Sequence, residues 1–134
     1  MTEKISRNPV LLLHGIDDNS DAMARLGGYL AGRGWTVGTM NMTPSDGADP
    51  LDLLAKLVAK GIENQFPDGQ PFDLVCFSMG GIVARYYLQR LGGMERVRHF
   101  ITISSPHHGT YSAYFRRNAV GRQLRPGSPF MTDL

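Results

Sequence analysis

Four short apolar runs, separated by stretches of helical periodicity, restrict this 134-residue chain to very few folds. Val10-Leu11-Leu12-Leu13 carries no polar residue and sits between Pro9 and the His14-Gly15 pair. Such a run reads as a strand buried on both faces. Residues 35–40, 72–77 and 97–103 read as three more strands, the first of these weakened by Gly38. Asn19 or Ser20 can cap a helix running to about Gly32, with Met23, Leu26 and Leu30 on one face. Asp49 caps a second helix with Pro50 at its first position, and Leu51, Leu54, Leu57, Val58 and Ile62 recur at helical spacing. A third helix runs over 79–91 and stops at Gly92-Gly93. Residues 111–124 read as one more helix, and 125–129 as loop. Strand and helix therefore alternate throughout. That pattern predicts an α/β fold, a parallel sheet in three layers with helices on both faces, in one domain over residues 1–134.

Composition narrows the function classes. A chain of this length builds one core, not two. A net charge of +2 is too small to argue for nucleic acid or an anionic membrane, so no nucleic-acid partner is expected. Arg116, Arg117, Arg122 and Arg125 form the one local basic cluster. It reads as a solvated face, with an anionic ligand or a membrane surface as the sharper alternative. A single cysteine, Cys76, excludes an internal disulfide. Residues 1–9 are polar, and the apolar run after them is too short for a signal peptide or a membrane span, so a cytoplasmic protein is the default expectation.

In a parallel sheet the functional residues collect at the carboxyl ends of the strands. His14, Ser78 and the segment 104–110 all fall at such ends. Ser78 lies between an apolar strand and a helix, with Gly80 and Gly81 just beyond it. This is the pattern of a nucleophile elbow, a sharp turn that pushes the hydroxyl out of the sheet for acyl transfer. The bland alternative is a serine that merely caps the helix. In the elbow reading the Met79 amide faces a developing oxyanion, and the two glycines let helix and strand approach closely. A second oxyanion donor should come from the loop after the first strand, where Gly15 permits a turn that aims the Ile16 amide at the same site. His14-Gly15 could equally be a plain strand-ending turn. His107 and His108 are adjacent, but no Cys, Asp or Glu stands near them at ligand spacing, so neither metal nor cofactor is expected. They read as loop structure beside the pocket.

These stretches resemble the lipase-type α/β-hydrolases, in particular bacterial triacylglycerol lipases and the related deacylases of inositol lipids. The matching segments are Pro9-Val-Leu-Leu-Leu-His-Gly-Ile16, Asp73-Leu-Val-Cys-Phe-Ser-Met-Gly-Gly-Ile-Val-Ala-Arg-Tyr-Tyr-Leu88, Ile101-Thr-Ile-Ser-Ser-Pro-His-His-Gly-Thr110 and Pro126-Gly-Ser-Pro-Phe130. The resemblance implies a carboxylic or fatty-acyl ester hydrolase with Ser78 as nucleophile and the amides of Ile16 and Met79 as oxyanion hole. It implies an ester or lipid substrate, transient contact with a lipid surface, no cofactor, and a structural role for the His107-His108 loop. It also implies that this chain corresponds to the N-terminal two-thirds of the usual fold, truncated after the fourth strand.

Three departures from the family pattern matter. Cys76 stands where glycine is usual, and reads as a tolerated small core residue. Phe77 replaces a usual histidine, and reads either as acyl-pocket lining or as core. The third concerns the triad, which in this fold runs Ser, acid, His along the chain. After Ser78 the only Asp is Asp133, and no His follows it. Glu95 precedes His99, His107 and His108, but Glu95 and His99 sit at the wrong end of the fourth strand. A serine with no base is a poor nucleophile. Three readings stay open: a fragment of a longer hydrolase, a complete enzyme using His107 or His108 as substitute base, or an inactive relative that binds an acyl ligand or a partner chain. An unclosed sheet edge would also invite self-association into a homo-oligomer.

Overall fold

The computed structural model describes residues 7–134; residues 1–6, which hold most of the polar N-terminal stretch read for a leader, lie outside the described residues. Strand β1 (Val10–Leu13) is buried at all four positions, as an unbroken apolar run requires of a strand covered on both faces. It pairs in parallel with β2 (Val37–Met40) on one side and β3 (Phe72–Phe77) on the other. Strand β4 (Val97–Ile103) pairs in parallel with β3, giving the order β2-β1-β3-β4. The chain steps outward from β1 to β2, then returns past β1 to β3. Strand order therefore reverses between β1 and β3, and the loops leaving these two strands diverge into a crevice at their carboxyl ends.

The alternation of side chains along each strand assigns the two faces. Leu11, Leu13, Leu74 and Cys76 meet Leu54, Val58 and Ile62 of α2 (Leu51–Gln65) and Ile82 and Val83 of α3 (Met79–Arg90) in the main core. Val10, Leu12 and Val75 point the other way, into a smaller cluster with Met23, Leu26 and Leu30 under α1 (Ala24–Gly32). The result is the three-layer α/β fold that the alternation of strand and helix predicts. No described helix is long and apolar enough to cross a membrane.

Several local expectations are corrected. Asn19 does cap, accepting a bond from the Asp21 amide at 2.9 Å, but it starts a 3-10 turn (Ser20–Met23) that leads into α1. Pro50 is extended (φ −62°, ψ 155°) and is itself the N-cap of α2, so Asp49 is not. The Leu51 amide is satisfied instead by Gln123 Oε1, at 2.7 Å, from 72 residues away. Residues 111–124 are not one helix. A 3-10 turn (Tyr111–Phe115) opens into extended backbone at Arg116, and α4 (Ala119–Gln123) starts afresh because the Asn118 side chain accepts from the Gly121 amide at 2.9 Å. Beyond it, Ser128 accepts from the Met131 amide at 3.1 Å and starts α5 (Pro129–Asp133), so part of the stretch 125–129 is a helix start rather than loop.

Candidate active site

The crevice between β1 and β3 takes its geometry from Ser78. Phe72, Leu74 and Cys76 anchor β3 in the core, fully buried, and the chain then turns at φ 53°, ψ −122°. A serine in this region of backbone space is strained by about 1–3 kcal/mol and persists only where its surroundings enforce it. Here the Ser78 amide still donates to the Ile103 carbonyl of β4, at 2.9 Å, while its own carbonyl accepts from the Gly81 amide at 3.0 Å. One residue thus closes the strand ladder and opens the helix. Its hydroxyl makes no capping bond to α3, so the backbone alone performs the capping and Oγ is left free.

The glycines around Ser78 are required by proximity. A Cβ on Gly80 would lie 2.5 Å from the His14 carbonyl oxygen, and one on Gly81 2.0 Å from Ser105 Oγ. The first turn of α3 is therefore pressed onto the end of β1 and the loop after β4. A Cβ on Gly15 would lie 3.1 Å from Ser78 Cβ. Gly15 consequently serves closeness between the β1 loop and the serine; the positive φ in that loop belongs to Asp17, at 58°. Ser104, at the end of β4, has φ 55°. The loops leaving β1, β3 and β4 thus each hold a non-glycine residue in a conformation that side chains disfavour.

Ile16, Ser78 and Met79 line one narrow cleft of about 110 Å³ together with Pro106, Ala113 and Arg116. That is small beside the 300–1,000 Å³ of typical small-molecule pockets. The β1 loop is fastened from two sides. The His14 ring is fully buried, its Nε2 accepting from the Met42 amide and its Nδ1–H donating to the Gly15 carbonyl, both at 2.8 Å. The Met42 bond fixes the neutral tautomer with the proton on Nδ1. The Asp17 amide donates to the Ser45 carbonyl at 2.7 Å, and its carboxylate pairs with Arg116. Arg116 and Asn118 both donate to the Asp46 carbonyl, at 3.4 and 2.9 Å. Asp17 and Arg116 are 99 positions apart and carry no motif, so nothing in the sequence pairs them.

Among the described residues, none of the remaining histidines is hydrogen-bonded to Ser78. His107 Nε2 is hydrogen-bonded to Thr102 Oγ1 at 2.9 Å, and its carbonyl accepts from Arg85 Nη1 at 2.8 Å. Burial, then the charges of Arg85 and His108, holds its imidazole below the ordinary value of 6.5. His108 is exposed. His99 Nδ1 lies 2.8 Å from Asp73 Oδ1, near the amino end of β4 and away from the cleft. Phe77 belongs neither to the cleft nor to the core: it is 39% exposed and lines a separate groove with Met23, Leu26 and Ile103 on the α1 side. Burial pushes the Cys76 thiol up, which keeps it protonated and inert. Among the described residues, no three His, Cys, Asp or Glu side chains converge as a metal site.

The fold has counterparts among known proteins. A family model described as palmitoyl protein thioesterase matches residues 9–130. The mature lipase BlEst2 of Bacillus licheniformis superposes with a TM-score of 0.75 at 21% identity, over 98% of this chain and 59% of that one. Lipase B of Aspergillus fumigatus gives 0.75 at 18% identity, over 94% of this chain and 33% of that one. Phospholipase PlaB of Legionella pneumophila gives 0.75 at 17% identity, over 93% and 34%. The chain thus spans between one third and three fifths of the length of these structures. At such identities the likeness establishes the lipase-type α/β-hydrolase fold.

Proposed function

The chain belongs to the palmitoyl protein thioesterase family, and from that premise we propose that Ser78 is the nucleophile of a fatty-acyl ester or thioester hydrolase. The observation that supports this most is the strained Ser78 backbone, with a hydroxyl not used for capping, opening on a cleft shared with Ile16 and Met79. In this reading Ser78 Oγ bonds to the acyl carbonyl carbon. The carbonyl oxygen becomes an oxyanion held by the amides of Ile16 and Met79. The bond to the alcohol or thiol breaks, that group leaves with the serine's proton, and water then releases the acid from the acyl-enzyme.

The base that takes the serine's proton is none of His14, His99 or His107, whose hydrogen bonds commit their rings elsewhere. The family resemblance puts acid and base on later strands and loops. An inactive acyl-binding module is the second reading, and this commitment of the histidines is what favours it. The test is turnover of 4-nitrophenyl acyl esters and an acyl-thioester, with the acyl-enzyme trapped by rapid acid quench and weighed intact. The hydrolase reading expects an acyl adduct on Ser78 that is absent from Ser78→Ala. Acyl ligand bound with equal affinity by both proteins and no adduct on either would support the binding module instead.

A further inference from the structure

The rim of the Ser78 cleft carries a cluster of aromatic rings that no described residue covers. In the 3-10 turn Tyr111–Phe115, only Ala113 is buried. Tyr111 is 79% exposed, Tyr114 54% and Phe115 91%. Residues three apart eclipse on a 3-10 turn, which sets Tyr111 and Tyr114 on one side. The turn is pinned: the Thr110 amide donates to the Leu124 carbonyl at 2.8 Å, and Ala113 lines the cleft. The rings are thus presented outward from a fixed base.

The basic cluster read in the sequence follows this turn along the chain. The Arg125 guanidinium lies 5.1 Å from the centre of the Tyr114 ring. Arg117 and Arg122 are exposed, and Arg122 Nη1 donates to the Arg117 carbonyl at 3.0 Å, which holds the two side by side. Of the acids bonded to this stretch, Asp17 is paired with Arg116, while Asp46 and Asp52 accept only from uncharged groups, the Ala48 amide at 2.9 Å and Gln123 Nε2 at 3.0 Å, which leaves two carboxylates against the three guanidinium groups of Arg117, Arg122 and Arg125. Positive charge is therefore in excess around the rings.

We propose that this aromatic and arginine rim docks on an anionic phospholipid surface, beside the cleft that Ser112 and Ala113 line. Amphipathic rings at the level of the headgroups and guanidinium groups on lipid phosphates are the physical requirements of such contact. A convex turn that offers three rings and no groove suits a deformable surface better than a folded partner. The docking does not depend on Ser78 chemistry, so Ser78→Ala should bind as the parent does even if the hydrolase reading fails.

The test is co-sedimentation of the full chain with vesicles of phosphatidylcholine alone and of phosphatidylcholine with about 30% phosphatidylglycerol. Binding to the anionic vesicles only is expected, weakening with added salt. Arg117→Gln with Arg122→Gln should weaken it about fivefold per charge removed. Tyr111→Ser with Phe115→Ser should weaken it at least tenfold. All four side chains are exposed, so unchanged circular dichroism should accompany both variants. No sedimentation, equal sedimentation with both vesicles, or binding untouched by both variants would overturn the proposal. So would a dimer, seen by analytical ultracentrifugation, that the aromatic variant dissociates, since a second copy would then be the occupant.

Discussion

The two faces of the sheet are finished to different degrees. Under α2 and α3 every strand contributes to one continuous core, and Phe72, Leu74, Leu54 and Ile82 are all shielded from solvent. Opposite, α1 covers only β1, β2 and part of β3. Among the described residues the β4 edge of that face is uncovered: Phe77, at the end of β3, is open to solvent and Ile101 is 52% exposed, with Ile103 between α1 and the edge. The complete face is the one that presses α3 onto the ends of β1 and β4 and so builds the Ser78 turn. Geometry of the site and completeness of packing come from the same side.

The largest expected difference is in the cores. Leu54→Ala or Leu74→Ala, under the covered face, should cost about 2–5 kcal/mol by urea denaturation. Ile101→Ala at the uncovered edge should stay within about 0.5 kcal/mol. An Ile101 cost as large as the others would show that this face is covered in solution, as self-association through the open side of the sheet would do. Glycines sharpen the contrast. Gly80→Ala would drive a methyl group against the His14 carbonyl, and should cost about 1–3 kcal/mol and lower the melting temperature. Gly28, in α1, has nothing within 4 Å of an added Cβ, so Gly28→Ala should stabilise by about 0.5–1 kcal/mol.

The smallest effect concerns pH. His107 is bonded to Thr102, on the covered side of β4, and it takes up a proton less readily in the folded chain than in the unfolded one. Its contribution to stability is full above the ordinary value near 6.5 and is lost as the pH falls through the lower folded value, because the unfolded state is protonated first. The urea midpoint should therefore drop on going from pH 7 to pH 5, and His107→Gln should shrink that drop.

Much of this was legible locally. Strands at 72–77 and 97–103, with helix 79–90 between two glycine-marked boundaries, follow from burial, periodicity and turn chemistry that neighbouring residues carry themselves. The Ser78 turn is legible for the same reason. What was not legible depends on contacts between distant residues. Gln123 replaces Asp49 as partner of the first α2 amide, and the Asp17–Arg116 pair holds the Ile16 loop. The break in 111–124 had a local sign in Asn118, a strong N-cap residue, but the apolar spacing of Tyr111, Tyr114, Phe115 and Val120 imitates one helix. Phe77 misled because alternation along a strand gives the face and says nothing of what covers it.

The most direct measurement is labelling of the folded chain with a fluorophosphonate, read by intact mass and peptide mapping. The account predicts one adduct, slow to form because no described histidine is committed to the serine, mapped to Ser78, absent from Ser78→Ala and retained in His107→Gln. Folded protein that never gains an adduct at Ser78, or a label that survives Ser78→Ala, would contradict it.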